Sequence, residues 1–395
     1  MHDVLTAFRH SKLSRPAVLY GLSFGIGLFS MNGHPYLMPF ALLFPALFLL
    51  TKTPLERMAV PMGYYGAFLV TIFPGGQVFF GHEFNPIGVF ALWVLSCTML
   101  SLPWALLCNN NRRRLFWAVP LAMLIEIFPP FGLFGVGHPL SATGILVPHT
   151  AWYGLISVFL ASGFIAAYPR IFAPIILTLT IVSAAYVHDK PIPYGWVAVN
   201  TRLGPTGDYM QDYRILQYVQ RTLNTTTKNS RVVVMPESIM QWNHTQDLFL
   251  ASTIRRLNDE HRTAIIGATS LVQGAPERYR NVAIIRGEVN DVFDQRIPIP
   301  VTMWNPIDST KGVSLNLSGK ATAPVIDGQR PAIIICYEQM LMIPILESLY
   351  ARPTVLIGMT NDYWAVHTWV PQMQSATLKS WGRLFNLPVV NAINY

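Results

Sequence analysis

Charge is almost missing from one half of this chain, and that limits the possible folds more than any motif does. Residues 1 to 187 hold nine Lys or Arg and four Asp or Glu, against 19 and 16 from residue 188 onward. Charged residues make up 12% of the whole sequence and apolar residues 52%, where an ordinary soluble domain is roughly one quarter charged. The first half therefore reads as membrane-embedded and the second as a water-exposed domain, with the boundary at 187/188. A chain of 395 residues has room for both.

Seven apolar stretches are legible in the first half, at 17–31, 35–50, 58–79, 86–107, 115–134, 150–168 and 171–187. A spanning helix needs about 20 mostly apolar residues, so the first two are short for the task. Pro39, Pro45, Pro61, Pro120 and Pro174 fall inside these stretches; a helix bundle in lipid accommodates such prolines because neighbouring groups satisfy the freed carbonyls. All nine basic residues lie on one side: Arg9, Lys12 and Arg15 before the first stretch, Lys52 and Arg57 after the second, Arg112, Arg113 and Arg114 after the fourth, Arg170 after the sixth. Positive loops stay in the cytoplasm. Seven crossings from a cytoplasmic N-terminus, with the first as an uncleaved anchor, put residues 188–395 on the far side of a bacterial inner membrane, in the periplasm. The net charge of +8 is thereby largely topological. No basic run interleaved with aromatics points to nucleic acid. Glu126, inside "PLAMLIEIFPP", reads either as a functional intramembrane carboxylate or as a bonded acid near the interface.

The second half changes pattern. Strands are expected at 196–203, 231–238, 263–270, the arms of a hairpin around Gly287, 330–338, 354–362 and 388–394, with helices between them over "DYMQDYRILQYVQRTLN", "TQDLFLASTIRRLNDEH", "LMIPILESLYARP" and "PQMQSATLKSWGRLFN". Alternating strands and helices with β-branched cores predict an α/β domain, in which chemistry gathers at strand carboxyl ends. Three strands end in polar clusters, at Glu237, at Cys336-Tyr337-Glu338 and at Asn361-Asp362. Cys97 and Cys108 lie in the fourth apolar stretch, so Cys336 stands alone in the exported half. A lone thiol there is either a small buried hydrophobe or a nucleophile, for which Glu237 is a candidate general base. Scattered histidines give no metal-ligand spacing, no phosphate-binding glycine loop occurs, and no cofactor is expected. "GLSFG" at 21–25 matches a nucleophile elbow but lacks its strand–turn–helix setting.

"VVVMPES", "ERYRNVAII", "AIIICYE" and "MTNDYW" stand in the order and spacing of the nitrilase (carbon–nitrogen hydrolase) superfamily, and with the apolar half the chain resembles apolipoprotein N-acyltransferase and membrane proteins of plasmid conjugal transfer. The resemblance implies an α-β-β-α sandwich with a Glu–Lys–Cys triad. It assigns Glu237 as general base and Cys336 as nucleophile, and it puts Tyr337, Glu338, Asn361, Asp362 and Trp364 around the substrate, with Tyr209 where the acyltransferases carry a tryptophan. The lysine position reads Gln295 in "FDQRIPIPVTM", with Arg296 beside it and Met303 in place of a second carboxylate. The acyltransferases also continue past the stretch "VVNAINY", which implies either a shorter member of the family or a sandwich closed differently. Membrane phospholipid and a lipoprotein, pilus or transfer subunit are the implied partners. Two functions stay open on the sequence: thiol-dependent acyl transfer or amide hydrolysis, and a catalytically degenerate domain that binds a component of the conjugation machinery.

Overall fold

The computed structural model describes residues 14–204, 209–226, 229–305, 308 and 310–395. Arg9, Lys12 and the side chain of Tyr209 lie outside the described residues. Every apolar stretch of the first half is helical: α1 (Arg15–Ser30), the 3-10 segment Pro35–Leu50, α2 (Pro54–Leu69), α3 (Ile72–Phe80), α4 (Pro86–Leu107), α5 (Arg112–Ile127), α6 (Ala151–Ala167) and α7 (Pro169–Tyr186). The starts are written in the sequence. Thr53, Asn85 and Asn111 accept backbone N–H bonds at the N-termini of α2, α4 and α5, and such caps satisfy donors that a helix end leaves open. Pro35–Leu50 carries Pro39 and Pro45 in its interior, each without an amide donor. Among the described residues, three helices are long and apolar enough to cross a membrane: Pro54–Glu83, which joins α2, α3 and the turn after them, then Pro86–Leu107 and Pro169–Tyr186. Glu126 is buried and its Oε2 accepts the Tyr65 hydroxyl at 2.7 Å.

The second half is an α/β domain built on two sheets. One runs in the order β1 (Trp196–Ala198), β2 (Val232–Val234), β4 (Thr263–Val272), β5 (Ala275–Gly287), β6 (Asp291–Asp294), with β3 (Met240–Gln241) beside β4 and β7 (Gly312–Val313) beside β5. The other is β10 (Val389–Asn394), β9 (Val355–Asn361), β8 (Pro331–Ile335), all parallel. Alternation along β4 shows how one strand serves two cores. Ala264, Ile266 and Ala268 pack with α8 (Tyr209–Thr225) and α9 (His244–Asp259), while Ile265 joins Val232, Val234 and Ile285 in the core shared with Ile333–Ile335 of the second sheet. Beyond that sheet lie α10 (Met342–Tyr350) and α11 (Val370–Phe385), with Leu378 of α11 against Gly358 of β9.

The two halves share one core. Tyr337 donates its hydroxyl to the Leu133 carbonyl at 2.9 Å, and His149 N–H donates to the Arg383 carbonyl at 2.8 Å. Gly144 lies so close to α11 that a Cβ would stand 1.8 Å from the Ser380 oxygen.

Candidate active site

Parallel strands β2, β8, β9 and β10 deliver their carboxyl ends to one place. After β2 the chain passes Met235 and Pro236 to Glu237, and Gly267 of β4 permits this close passage, since a Cβ there would lie 2.1 Å from the Pro236 oxygen. After β8 the backbone turns at once. Cys336 has φ +51° and Ser238, beside Glu237, has φ +47°. Such geometry in a residue with a Cβ costs on the order of 1–3 kcal/mol and persists only where its surroundings enforce it.

Glu338 supplies that enforcement at Cys336. Its Oε2 accepts Ile335 N–H at 3.1 Å, and its Oε1 accepts the amides of Arg296 at 2.6 Å and Ile297 at 3.1 Å. The expectation that Glu338 touches substrate is therefore corrected. The tight turn sends Tyr337 and Glu338 to opposite sides, and the carboxylate is consumed by backbone behind the site. Arg296 is correspondingly turned away. Its guanidinium is buried, 3.4 Å from Glu338 and 3.5 Å from Glu347, so it does not stand in for a catalytic lysine.

Gln295 takes the other face of the same strand extension. Its Oε1 accepts from Asn281 Nδ2 at 3.0 Å and its Nε2 donates to the Ile335 carbonyl at 3.1 Å. Asn281 also donates to Glu237 Oε1 and accepts from the Ser238 hydroxyl at 2.8 Å. This buried asparagine links the base to the lysine position, and sequence reasoning passed over it because it sits in a strand of otherwise ordinary alternation. Glu237 Oε2 accepts the Asn361 backbone amide at 2.9 Å, and Glu237 lines the same cavity as the Cys336 thiol, with which it interacts electrostatically. Asn361 in turn accepts from Asn394 Nδ2 at 2.7 Å, and Asn394 Oδ1 receives the Thr201 hydroxyl, which ties the two sheets together at this end.

Burial with no cation nearby sets the protonation. Desolvation raises Glu237 to about 7, although Cys336, Asn281 and Asn361 each favour its anion. Desolvation raises Asp362 to about 8, aided by repulsion from Glu237. Desolvation and the neighbouring carboxylates Glu237 and Asp362 push the Cys336 thiol well up, so the resting sulfur is protonated.

The linkage has a definite sign. The folded protein holds the Glu237 and Asp362 protons more tightly than the unfolded chain, so their stabilisation is fully present below about 4 and is lost as pH rises through about 7 and 8. Thermal melts in one detergent should show stability falling from pH 5 to 8, with Glu237 contributing roughly 3 kcal/mol of the change. Glu237→Gln should flatten the slope. An unchanged slope in that variant would refute the assignment.

Above this floor lies a cavity of about 220 Å³. Glu237, Cys336, Tyr337, Asn361 and Trp364 line one side, and the facing wall is apolar, built by Phe68, Ile72, Phe79 and Phe80 of α2 and α3 and by Val89 and Leu92 of α4. Trp364 rests on α3, where Gly75 leaves room for the indole; a Cβ at Gly75 would lie 2.6 Å from Trp364 Cζ3. On the same helices Val78, Ile87 and Phe90 are exposed, and Phe79 is exposed as well as lining the cavity. Met303 lines the cavity too, whereas Glu338, Gln295 and Asp362 do not.

The arrangement is an α/β domain whose cysteine and carboxylate meet beneath an apolar chamber walled by membrane-type helices. The chain matches no protein-family model. It is similar to two curated proteins over nearly its whole length. The conjugal transfer protein TraB of Agrobacterium fabrum is 29% identical over 401 residues, covering 96% of this chain and 93% of that protein. The probable conjugal transfer protein TraB of Sinorhizobium fredii is 27% identical over 392 residues, covering 96% and 98%. Among solved structures, an amidase from Nesterenkonia sp. overlaps 50% of this chain and 74% of its own, at 10% identity and a TM-score of 0.32. A CN-hydrolase superfamily protein from Xanthomonas campestris overlaps 42% and 63%, at 11% identity and a TM-score of 0.28. At such scores the structural likeness carries no assignment.

Proposed function

We propose that this chain is a multi-pass inner-membrane component of plasmid conjugal transfer whose exported domain, of nitrilase type, forms a thioester on Cys336 with the acyl chain of a membrane phospholipid. The observation that carries the reading is the meeting of Glu237 with Cys336 under a cavity whose far wall is apolar helix. A fatty chain fits such a wall, and the exposed apolar residues of the same helices give a lipid a route along α3 and α4. The conjugal role comes from the names of the two relatives.

In this reading Glu237 takes the Cys336 proton as the sulfur attacks the ester carbonyl. The S–C bond forms, the C–O bond breaks, and Glu237 returns the proton to the departing alcohol. An amine of a lipoprotein, pilus or transfer subunit, or water, then receives the acyl group. Because Glu237 must be ionised to accept a proton, the rate should rise through about pH 7, in the range where stability falls.

One observation favours a second reading, in which the domain binds a transfer subunit without catalysis: the lysine position is filled by the neutral Gln295, whose amide bonds Asn281 and the Ile335 carbonyl. The test is a thioester trap. Purified protein is incubated with phospholipid bearing a tagged acyl chain, and Cys336 is examined for hydroxylamine-sensitive label. Label on the native chain supports acyl transfer. Gln295→Lys should then accelerate labelling on the order of 10²-fold, the scale of one added oxyanion donor. Label on Gln295→Lys alone supports the binding reading. Label on neither overturns the acyl assignment.

A further inference from the structure

The amide at the lysine position is spent, yet another amide touches the sulfur. Gln374 projects from α11, is buried, and lines the cavity beside Cys336, with Nε2 at 3.9 Å from Sγ. On its other side stands Asp362. Turned the other way, the amide nitrogen of Gln374 reaches both Asp362 oxygens, at 3.0 and 3.1 Å. We infer that Gln374, held by Asp362, is a catalytic residue of this site, the group that hydrogen-bonds the Cys336 sulfur as its proton leaves. The inference rests on the reading of Cys336 as the attacking group.

The two orientations have different chemistry. When Asp362 is ionised, it can only accept, so the Gln374 nitrogen faces it and the amide oxygen faces the thiol, where it accepts the S–H. When Asp362 carries a proton, its O–H donates to the amide oxygen, and the Gln374 nitrogen turns its N–H to the sulfur. The second orientation favours the thiolate, because a donor now faces the atom that gains charge. The S–H proton passes to Glu237, so no further reactant is needed. The ionisable groups around the pair are Glu237, which repels charge on Asp362, and Cys336 itself. Burial raises the Asp362 carboxyl, and its protonation selects the orientation that aims N–H at sulfur. Asp362 is fixed for this task by its own backbone: its N–H donates to the Asn394 carbonyl at 2.7 Å, and its carbonyl accepts from Ala365 at 2.8 Å.

The test follows Cys336 alkylation by iodoacetamide against pH, on the full chain in detergent, read at that residue by mass spectrometry. Gln374→Leu should slow alkylation at neutral pH by at least about tenfold and move its midpoint upward, as loss of one hydrogen bond to a charged acceptor requires. Asp362→Asn should act in the opposite direction. Its neutral amide can donate to the Gln374 oxygen at every pH, which ionised Asp362 cannot do, so alkylation at neutral pH stays as fast as native or becomes faster, and continues so above pH 8. A native profile in Gln374→Leu at a native melting temperature overturns the inference. Where Gln374→Leu does not fold, the sign of the Asp362→Asn effect decides, since slower alkylation there overturns it equally. Alkylation needs no acyl donor. Altered alkylation without any acyl label would therefore leave the Gln374–Cys336 contact standing and sink the acyl-transfer reading alone.

Discussion

Cys336→Ala is expected to abolish the hydroxylamine-sensitive acyl label entirely, and Glu237→Gln to slow its formation by about 10²–10⁴-fold, the range that a positioned general base contributes. The reasoning is geometric. Glu237 is the carboxylate that shares the cavity floor with the Cys336 thiol, and no Lys, Arg or His acts on that thiol among the described residues. With no cation to hold a thiolate, proton removal must be coupled to attack, and the base becomes the larger share of the catalysis. Glu237→Gln keeps the side chain's shape but only one of the two hydrogen bonds accepted from Asn281 and Asn361, so a melt of the variant accompanies the labelling. Labelling at the native rate in Glu237→Gln would remove this carboxylate from the chemistry. Label persisting in Cys336→Ala would place the acyl group elsewhere.

The second large effect concerns stability. Glu338→Ala should destabilise the protein by about 3–5 kcal/mol, the usual result of removing one partner of a buried ion pair. The loss has two sources: the Arg296 guanidinium keeps only the half-exposed Glu347 as a counter-charge, and the amides of Ile335, Arg296 and Ile297 lose their acceptor. Glu338→Gln retains an acceptor oxygen and should lose less. Denaturant titration in a single detergent, beside labelling at saturating lipid, separates this from a binding role. Native stability with weakened lipid use would restore Glu338 to the substrate side.

Much of the frame was legible. The uneven spread of charge marks the apolar half because lipid-facing helices have no use for charge, and β-branched runs mark the strands because buried parallel strands are apolar on both faces. Glu237, Cys336 and Asn361 stand out for a similar reason: polar residues that end apolar runs must sit where the sheet stops. Glu338 and Arg296 were harder to place. Which side a residue faces depends on the +51° turn at Cys336 and on the register of the segment after β6, and neither leaves a mark in the residue types. Asn281 and Gln374 lie in the middle of a strand and a helix. Nothing in "RYRNVAII" or "PQMQSATL" distinguishes a side chain that meets another element more than thirty residues away in sequence.

The chamber wall built by α2, α3 and α4 has a consequence for how the proposed reaction should be measured. A substrate that arrives through that wall arrives from a two-dimensional solvent. Its effective concentration is then the fraction of donor lipid among all the amphiphiles in the surface, and moles per litre of suspension become irrelevant. Turnover should stay constant when vesicles are diluted with buffer and fall when the same vesicles are diluted with inert lipid or swollen with detergent. Half-saturation for the donor is therefore a mole fraction, whereas that for a water-borne acceptor amine remains a true concentration.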